Sequence, residues 1–239
     1  MHQLNSVEER FPTLNLLDAA IIDLDGTMVD TLGDFVVALN LMLAELPLAG
    51  KPQVDLPVVA RMVGKGSEHL IRSVLEHIAP ADRRAPSLFD AAFATYQMHY
   101  DAINGRHSAV YAGVSEGLQG LQRAGLKLAC LTNKPLAFAH ELLRLKGLDG
   151  FFSEVFGGDS FERKKPDPLP LLKTCEALLT SPERTLMVGD SSNDARAARA
   201  AGCPVVLVTY GYNHGEPIRD VDADGFVDSL EGLFLQLRR

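Results

Sequence analysis

Cysteine is scarce in this chain, and basic residues never accumulate. Of 239 residues only Cys130, Cys175 and Cys203 are cysteine, far apart and without a Cys-x-x-Cys spacing. That argues against a disulfide framework or a zinc site and points to a reducing, cytoplasmic setting. Lys and Arg number 23 against 31 Asp and Glu, a formal charge of −8, and they gather no further than pairs such as Arg83-Arg84 and Lys164-Lys165. An electrostatic footprint for nucleic acid is therefore missing. The longest apolar stretch, Phe35 to Leu48, is broken by Asn40, Glu45 and Pro47, and the first residues carry Glu8 and Glu9 rather than a basic then apolar signal. Neither a membrane span nor a targeting segment is expected. Internal repeats and low-complexity segments are also lacking. What remains as a partner is a small molecule, with the chain a monomer or a small homo-oligomer.

With 46% apolar residues, the chain can bury a substantial core. Short apolar runs rich in β-branched residues predict strands at Ala19–Asp25, Leu126–Thr132, Glu154–Phe156, Thr185–Gly189 and Val205–Thr209, with an edge strand near Gly225–Val227. Helical patterns alternate with them, punctuated by Pro135 and Gly147 around Leu136–Lys146 and by Gly202 after Asn193–Ala201. The alternation predicts an α/β fold, a Rossmann-like parallel sheet covered by helices.

One interval is too long. A parallel crossover needs about a dozen residues or more, whereas roughly a hundred separate the first two strands. The segment between them predicts helices at Leu32–Leu46, Val58–Met62, Ser67–Ile78 and Leu88–Ile103, with enough Leu, Val, Ala and Phe to pack on itself. Residues 31–107 are thus expected to form a helical cap domain on a core of residues 1–30 and 108–239. The hinges fall near Met28–Thr31 and Arg106–Gly113, so the cap should close over the strand end carrying Asp23 and exclude water.

That strand end holds the most informative run, Ala20-Ile21-Ile22-Asp23-Leu24-Asp25-Gly26-Thr27. Two carboxylates two residues apart, where a short strand meets a glycine, suggest phosphate chemistry on a metal, since ligands of open parallel sheets bind at strand ends. An Asx-rich turn is the plainer alternative. At the next strand end, Thr132 and Asn133 in Leu131-Thr132-Asn133-Lys134-Pro135 can offer a hydroxyl, an amide and backbone N–H groups to an anion, or simply cap a helix. Lys165 follows the third strand, in a segment stiffened by Pro166 and Pro168. Val188-Gly189-Asp190-Ser191-Ser192-Asn193-Asp194 ends the fourth with two more acids. Asp190 is placed for a metal, while Asp194 could equally complement a helix dipole.

Four such motifs in this order resemble the haloacid dehalogenase superfamily of aspartate-nucleophile phosphotransferases, across essentially the whole chain. The resemblance implies that Asp23 is the nucleophile and Asp25 the general acid and base. It implies that Thr132 and Lys165 bind the phosphoryl group. Asp190 would complete a Mg²⁺ site with Asp23 and the backbone carbonyl of Asp25, supported by Asp194. The helical insertion corresponds to the C1 cap type. The residue types suit this chemistry: a phosphate monoester repels a carboxylate until charge is neutralised, and oxygen ligands alone favour Mg²⁺ over zinc.

Ala201-Gly202-Cys203-Pro204, the stretch Thr209 to Pro217, and Met62-Val63-Gly64-Lys65-Gly66 are similar to the bacterial phosphoglycolate phosphatases within that superfamily. The expected reaction is Mg²⁺-dependent hydrolysis of 2-phosphoglycolate through an aspartyl-phosphate; the alternative is a phosphatase or phosphomutase acting on another small phosphate, such as a sugar phosphate. Gly64 and Gly66 allow close backbone approach. Arg61 or Lys65 could attract the substrate carboxylate, with a solvated Lys65 as the plainer alternative. A receiver module would lack both the cap and the Asp-x-Asp pair, and a hydrolytic dehalogenase would not need Asp25 and Asp190 for a metal.

Overall fold

A computed structural model describes residues 11–48, 50–78 and 86–238. The expectations for Glu8, Glu9, Arg83 and Arg84 lie outside them. The apolar runs become β1 (Ala19–Ile22), β4 (Lys127–Leu131), β5 (Glu154–Phe156), β6 (Thr185–Gly189), β7 (Val205–Val208) and β8 (Gly225–Val227) of one sheet. Its order is β5-β4-β1-β6-β7-β8, and every neighbouring pair is parallel. β1 lies inside the sheet between β4 and β6, where all four of its side chains are fully buried. Continuous hydrophobicity, rather than alternation, follows from having both faces covered.

Alternate residues serve opposite cores. Ala20, Ile22, Leu128, Cys130, Leu186 and Val188 pack against α5 (Val114–Arg123), α6 (Leu136–Leu145) and α9 (Leu230–Leu237). Ala19, Ile21, Ala129, Leu131 and Met187 face α7 (Leu169–Leu178) and α8 (Ser192–Ala201). Each fully buried aliphatic side chain contributes about 1.5–3 kcal/mol. Two packed layers thus hold the carboxyl ends of the strands in one rigid row.

Between β1 and β4 the chain forms α1 (Leu32–Glu45), α2 (Leu56–Ala60), α3 (Ser67–Ile78) and α4 (Pro86–Ile103). These bury Leu39, Met42, Leu43, Val59, Ile71, Val74, Tyr96 and Tyr100 in a core of their own. α2 begins two residues earlier than apolar spacing predicts. Asp55 accepts the Val58 N–H at 3.0 Å and Pro57 sits in the first turn, so cap chemistry sets the start. A two-residue antiparallel ladder, β2 (Val29–Asp30) with β3 (Ala109–Val110), joins the insertion's entry to its exit. Fully buried Asp34 reinforces that junction, accepting the backbone N–H groups of Gly105 at 2.8 Å and His107 at 2.6 Å. No helix among the described residues is long and apolar enough to cross a membrane.

Candidate active site

Strand pairing runs one residue past β1: the Asp23 N–H donates to Val188 O at 2.9 Å, which fixes this backbone beside β6. The chain then turns tightly, with the N–H groups of Met28 and Val29 both donating to Leu24 O. Gly26 lies in the left-handed region at φ 81°, and a Cβ there would stand 2.2 Å from Asp190 Oδ2. Only glycine lets this turn meet the end of β6 so closely.

Asp23, Asp190 and Asp194 are buried, and each offers a carboxylate oxygen within 4.8 Å of the others. Lys165 is the cation among them. Its Nζ donates to Asp23 Oδ1 at 3.0 Å, Asp194 Oδ1 at 2.7 Å and Leu131 O at 2.8 Å, so all three of its hydrogens are committed. Burial works to lower the Lys165 pKa, but Asp194 and Asp23 outweigh it and hold the ammonium charged. Burial also pushes Asp23 up to about 7, opposed by Lys165 and reinforced by Asp194. Asp190 is driven well above the carboxylate range by burial, then by Asp194 and Asp23, although it accepts the Tyr212 N–H at 2.7 Å. Once ionised, three close carboxylates exceed the charge of one ammonium, and the donors are oxygens alone. Such a set fits a hard divalent cation such as Mg²⁺.

Asp194 caps a helix start and pairs with the buried lysine. One oxygen takes Lys165; the other accepts the Ser191 hydroxyl at 2.8 Å and the Ser191 N–H at 3.2 Å at the start of α8. Asp25 stands apart from the acid cluster and accepts Lys134 Nζ at 2.9 Å. Thr132 is buried at the end of β4, its hydroxyl accepting the Lys134 N–H at 3.2 Å. Asn133 is a strut: its amide donates to the carbonyls of Gly64, at 3.0 Å, and Lys165, at 2.8 Å, and accepts the Lys165 N–H at 3.0 Å. It therefore binds the cap loop, the β4 end and the lysine segment to one another.

A cavity of about 40 Å³ separates the sheet edge from the insertion, lined among others by Asp23, Asp25, Thr132, Lys134, Gly64 and Tyr100. That is room for about three waters, which suits a compact ligand. Arg61 and Lys65 are not in its lining. The Arg61 side chain lies against Gly215 and donates from Nε to Pro57 O, and Lys65 is exposed. What sequence reasoning missed is Lys134 with its neighbours Phe35 and Tyr100. The lysine lies inside the very run that identified Thr132 and Asn133, but nothing in that run shows which way it points. A larger groove of about 1020 Å³ at the opposite sheet edge, between Asp18, Lys127 and Arg184, holds none of these groups.

An acid-lined cleft at the carboxyl edge of a doubly wound parallel sheet, under an inserted helical layer, defines an α/β enzyme architecture. The family model of haloacid dehalogenase-like hydrolases matches residues 20–208. The chain belongs to that family. A phosphoglycolate phosphatase of Thiobacillus denitrificans is 44% identical over 223 residues, 93% of this chain and 96% of its own length. A plasmid-borne phosphoglycolate phosphatase of Cupriavidus necator is 45% identical over 217 residues, 90% of each chain. Among solved structures, a protein of Haemophilus somnus described as a predicted phosphoglycolate phosphatase superposes with a TM-score of 0.88 at 31% identity, covering 94% of this chain and 99% of that one.

Proposed function

We propose that this hydrolase removes the phosphoryl group from 2-phosphoglycolate, with Asp23 as nucleophile and Mg²⁺ as cofactor. The observation that carries the reading is the apposition of Asp23 and Asp25: one carboxyl sits in the acid cluster beside Lys165, the other faces the cavity with its own cation, Lys134. Two acids in such different surroundings suit two different roles.

Asp23 attacks phosphorus in line with the leaving oxygen and forms an aspartyl-phosphate. Asp25 protonates the departing glycolate oxygen and then takes a proton from the water that hydrolyses the acyl phosphate. Thr132 holds a phosphoryl oxygen, and Lys165 reaches the group by giving up its contact with Asp23, while Asn133 keeps those two segments in register. Asp23, Asp190 and the backbone carbonyl of Asp25 would hold Mg²⁺, with Asp194 behind them. When bound, the ion supplies the neutralising charge that lets an anionic nucleophile approach an anionic ester. The insertion over the cleft keeps bulk water away from the intermediate.

Support for the substrate comes from the narrow cavity and from the names of relatives such as those of Thiobacillus denitrificans and Cupriavidus necator. A panel of 2-phosphoglycolate, glucose phosphates and p-nitrophenyl phosphate, assayed with Mg²⁺ and with EDTA, tests both parts. The expected result is a marked kcat/KM preference for 2-phosphoglycolate and silence in chelator. Faster turnover of a sugar phosphate would overturn the substrate assignment, and undiminished activity in EDTA would overturn the metal.

A further inference from the structure

Lys134 is the cavity cation whose hydrogen-bonding capacity is not exhausted. It is almost completely buried, and its Nζ donates to Asp25 Oδ1 at 2.9 Å and to the Tyr100 hydroxyl at 2.6 Å. An ammonium has three hydrogens, and the third has no acceptor among the described residues. Lys165, by contrast, is saturated. The Tyr100 hydroxyl accepts from Lys134, which leaves its own proton without an acceptor among the described residues. Burial raises the Tyr100 pKa well above its ordinary value, so that proton stays.

The surroundings hold this pair of donors in place. Lys134 Nζ lies 4.8 Å from the Phe35 ring centre and 4.9 Å from that of Tyr100, a cation held by aromatic faces on the insertion side. Tyr100 itself stacks on Phe35 at 5.5 Å and on Tyr96 at 5.4 Å, and meets Phe138 of α6 edge-on at 5.1 Å. Gly66 and Ser67 bring the start of α3 to the same cavity wall, where the helix dipole also favours an anion. The opposite wall, with Asp23 and Thr132 and with Lys165 behind Asp23, is the side assigned above to the phosphoryl group.

We propose that Lys134, positioned by Tyr100, is the specificity-determining residue that receives the carboxylate of the substrate. Neither Arg61 nor Lys65, the two candidates offered for the substrate carboxylate, lines this cavity. The proposal rests on the substrate reading above, and a carboxylated phosphate is the ligand class it requires. Because Lys134 bridges Asp25 and the insertion's Tyr100, a carboxylate bound to it also fastens the insertion to the reacting centre.

The test compares binding of 3-phosphonopropionate, the non-hydrolysable methylene analogue of 2-phosphoglycolate, with propylphosphonate, which has a methyl where the carboxylate stood. Titration calorimetry in Mg²⁺ should give the wild type an affinity ratio of about tenfold or more in favour of the carboxylate. Lys134→Met should bring that ratio close to unity, Tyr100→Phe should reduce it severalfold, and Lys134→Arg should keep part of it. Both ligands are measured on the same variant, so any general weakening of the fold cancels; if Lys134→Met does not fold, Tyr100→Phe decides. No wild-type preference, or one that survives Lys134→Met, overturns the proposal. A ratio abolished by Lys134→Met in an enzyme that prefers another carboxylated phosphate would sink the 2-phosphoglycolate reading and leave Lys134 standing. Preferential hydrolysis of 2-phosphoglycolate that Lys134→Met leaves intact would do the reverse.

Discussion

Asp23 is held between opposing influences, with burial and Asp194 favouring its acid form and Lys165 favouring the anion. An asparagine keeps the shape and the Leu24 N–H contact but has no anionic oxygen for attack on phosphorus. Asp23→Asn should therefore lower kcat more than about 10³-fold, ~4 kcal/mol of barrier, while circular dichroism stays unchanged. Residual turnover within about tenfold of wild type would reject Asp23 as nucleophile. Lys165 shows why its partners matter as much as its charge. Its three acceptors, Leu131, Asp194 and Asp23, come from three different segments, so it joins the strand ends as well as compensating their acids. The sequence places Lys165 next to Pro166 but says nothing about where its side chain reaches.

At the scale of elements, the weight falls on the junction between sheet and insertion. Asp34 opens α1 and satisfies two backbone N–H groups just past the end of α4. Tyr212 adds a second fastening, donating its hydroxyl to Asp30 Oδ1 at 2.9 Å and accepting the Thr31 N–H at 2.8 Å. Asp34→Ala removes a fully buried carboxylate and leaves both part-buried amides without their acceptor, and each such group costs ~1–3 kcal/mol. Urea denaturation should show a loss of roughly 2–5 kcal/mol; a change below about 0.5 kcal/mol, the size of an ordinary surface substitution, would show that the clasp is dispensable. Strands β1, β6 and β7 were legible because doubly covered strands are written as unbroken apolar runs, and the acids beyond β1 and β6 were legible by their position. Other features left no local trace. Ladder β2–β3 has only two residues per strand, too short for any period to register. Thr31 and Tyr212 meet across most of the chain, and Lys134 differs from a solvated lysine through Asp25 and through aromatic rings contributed by the insertion. Periodicity reports what each segment does with its own core, not which segments face each other.

For the whole molecule, the acid cluster makes stability depend on pH and metal together. The raised Asp23 and Asp190 carboxyls keep protons in the metal-free folded chain that an unfolded chain releases above about pH 4. The folded state therefore binds more protons than the unfolded one from about pH 4 up to about 7, where Asp23 titrates, and this contribution weakens the metal-free protein as pH rises through that window. Under the proposed assignment, Mg²⁺ would select the ionised carboxylates. At about 100-fold excess over its Kd, it should add ~2.7 kcal/mol at pH 8, a rise of roughly 5–10 °C in Tm. At pH 5.5 the rise should be smaller, because protons compete. Differential scanning calorimetry checks this, and equal gains at both pH values would place the metal elsewhere.

The interior position of β1 also sets a timetable. Its neighbours β4 and β6 follow much later in the chain, so Asp23 and Asp25 leave the ribosome on the order of ten seconds before Asp190 does. During that interval the first strand has no ladder to join, and its unpaired apolar edge must be tolerated or shielded. The insertion, with a core of its own, is the part that can assemble meanwhile. Among the strands of this sheet, the first translated is thus the one that waits longest for a neighbour.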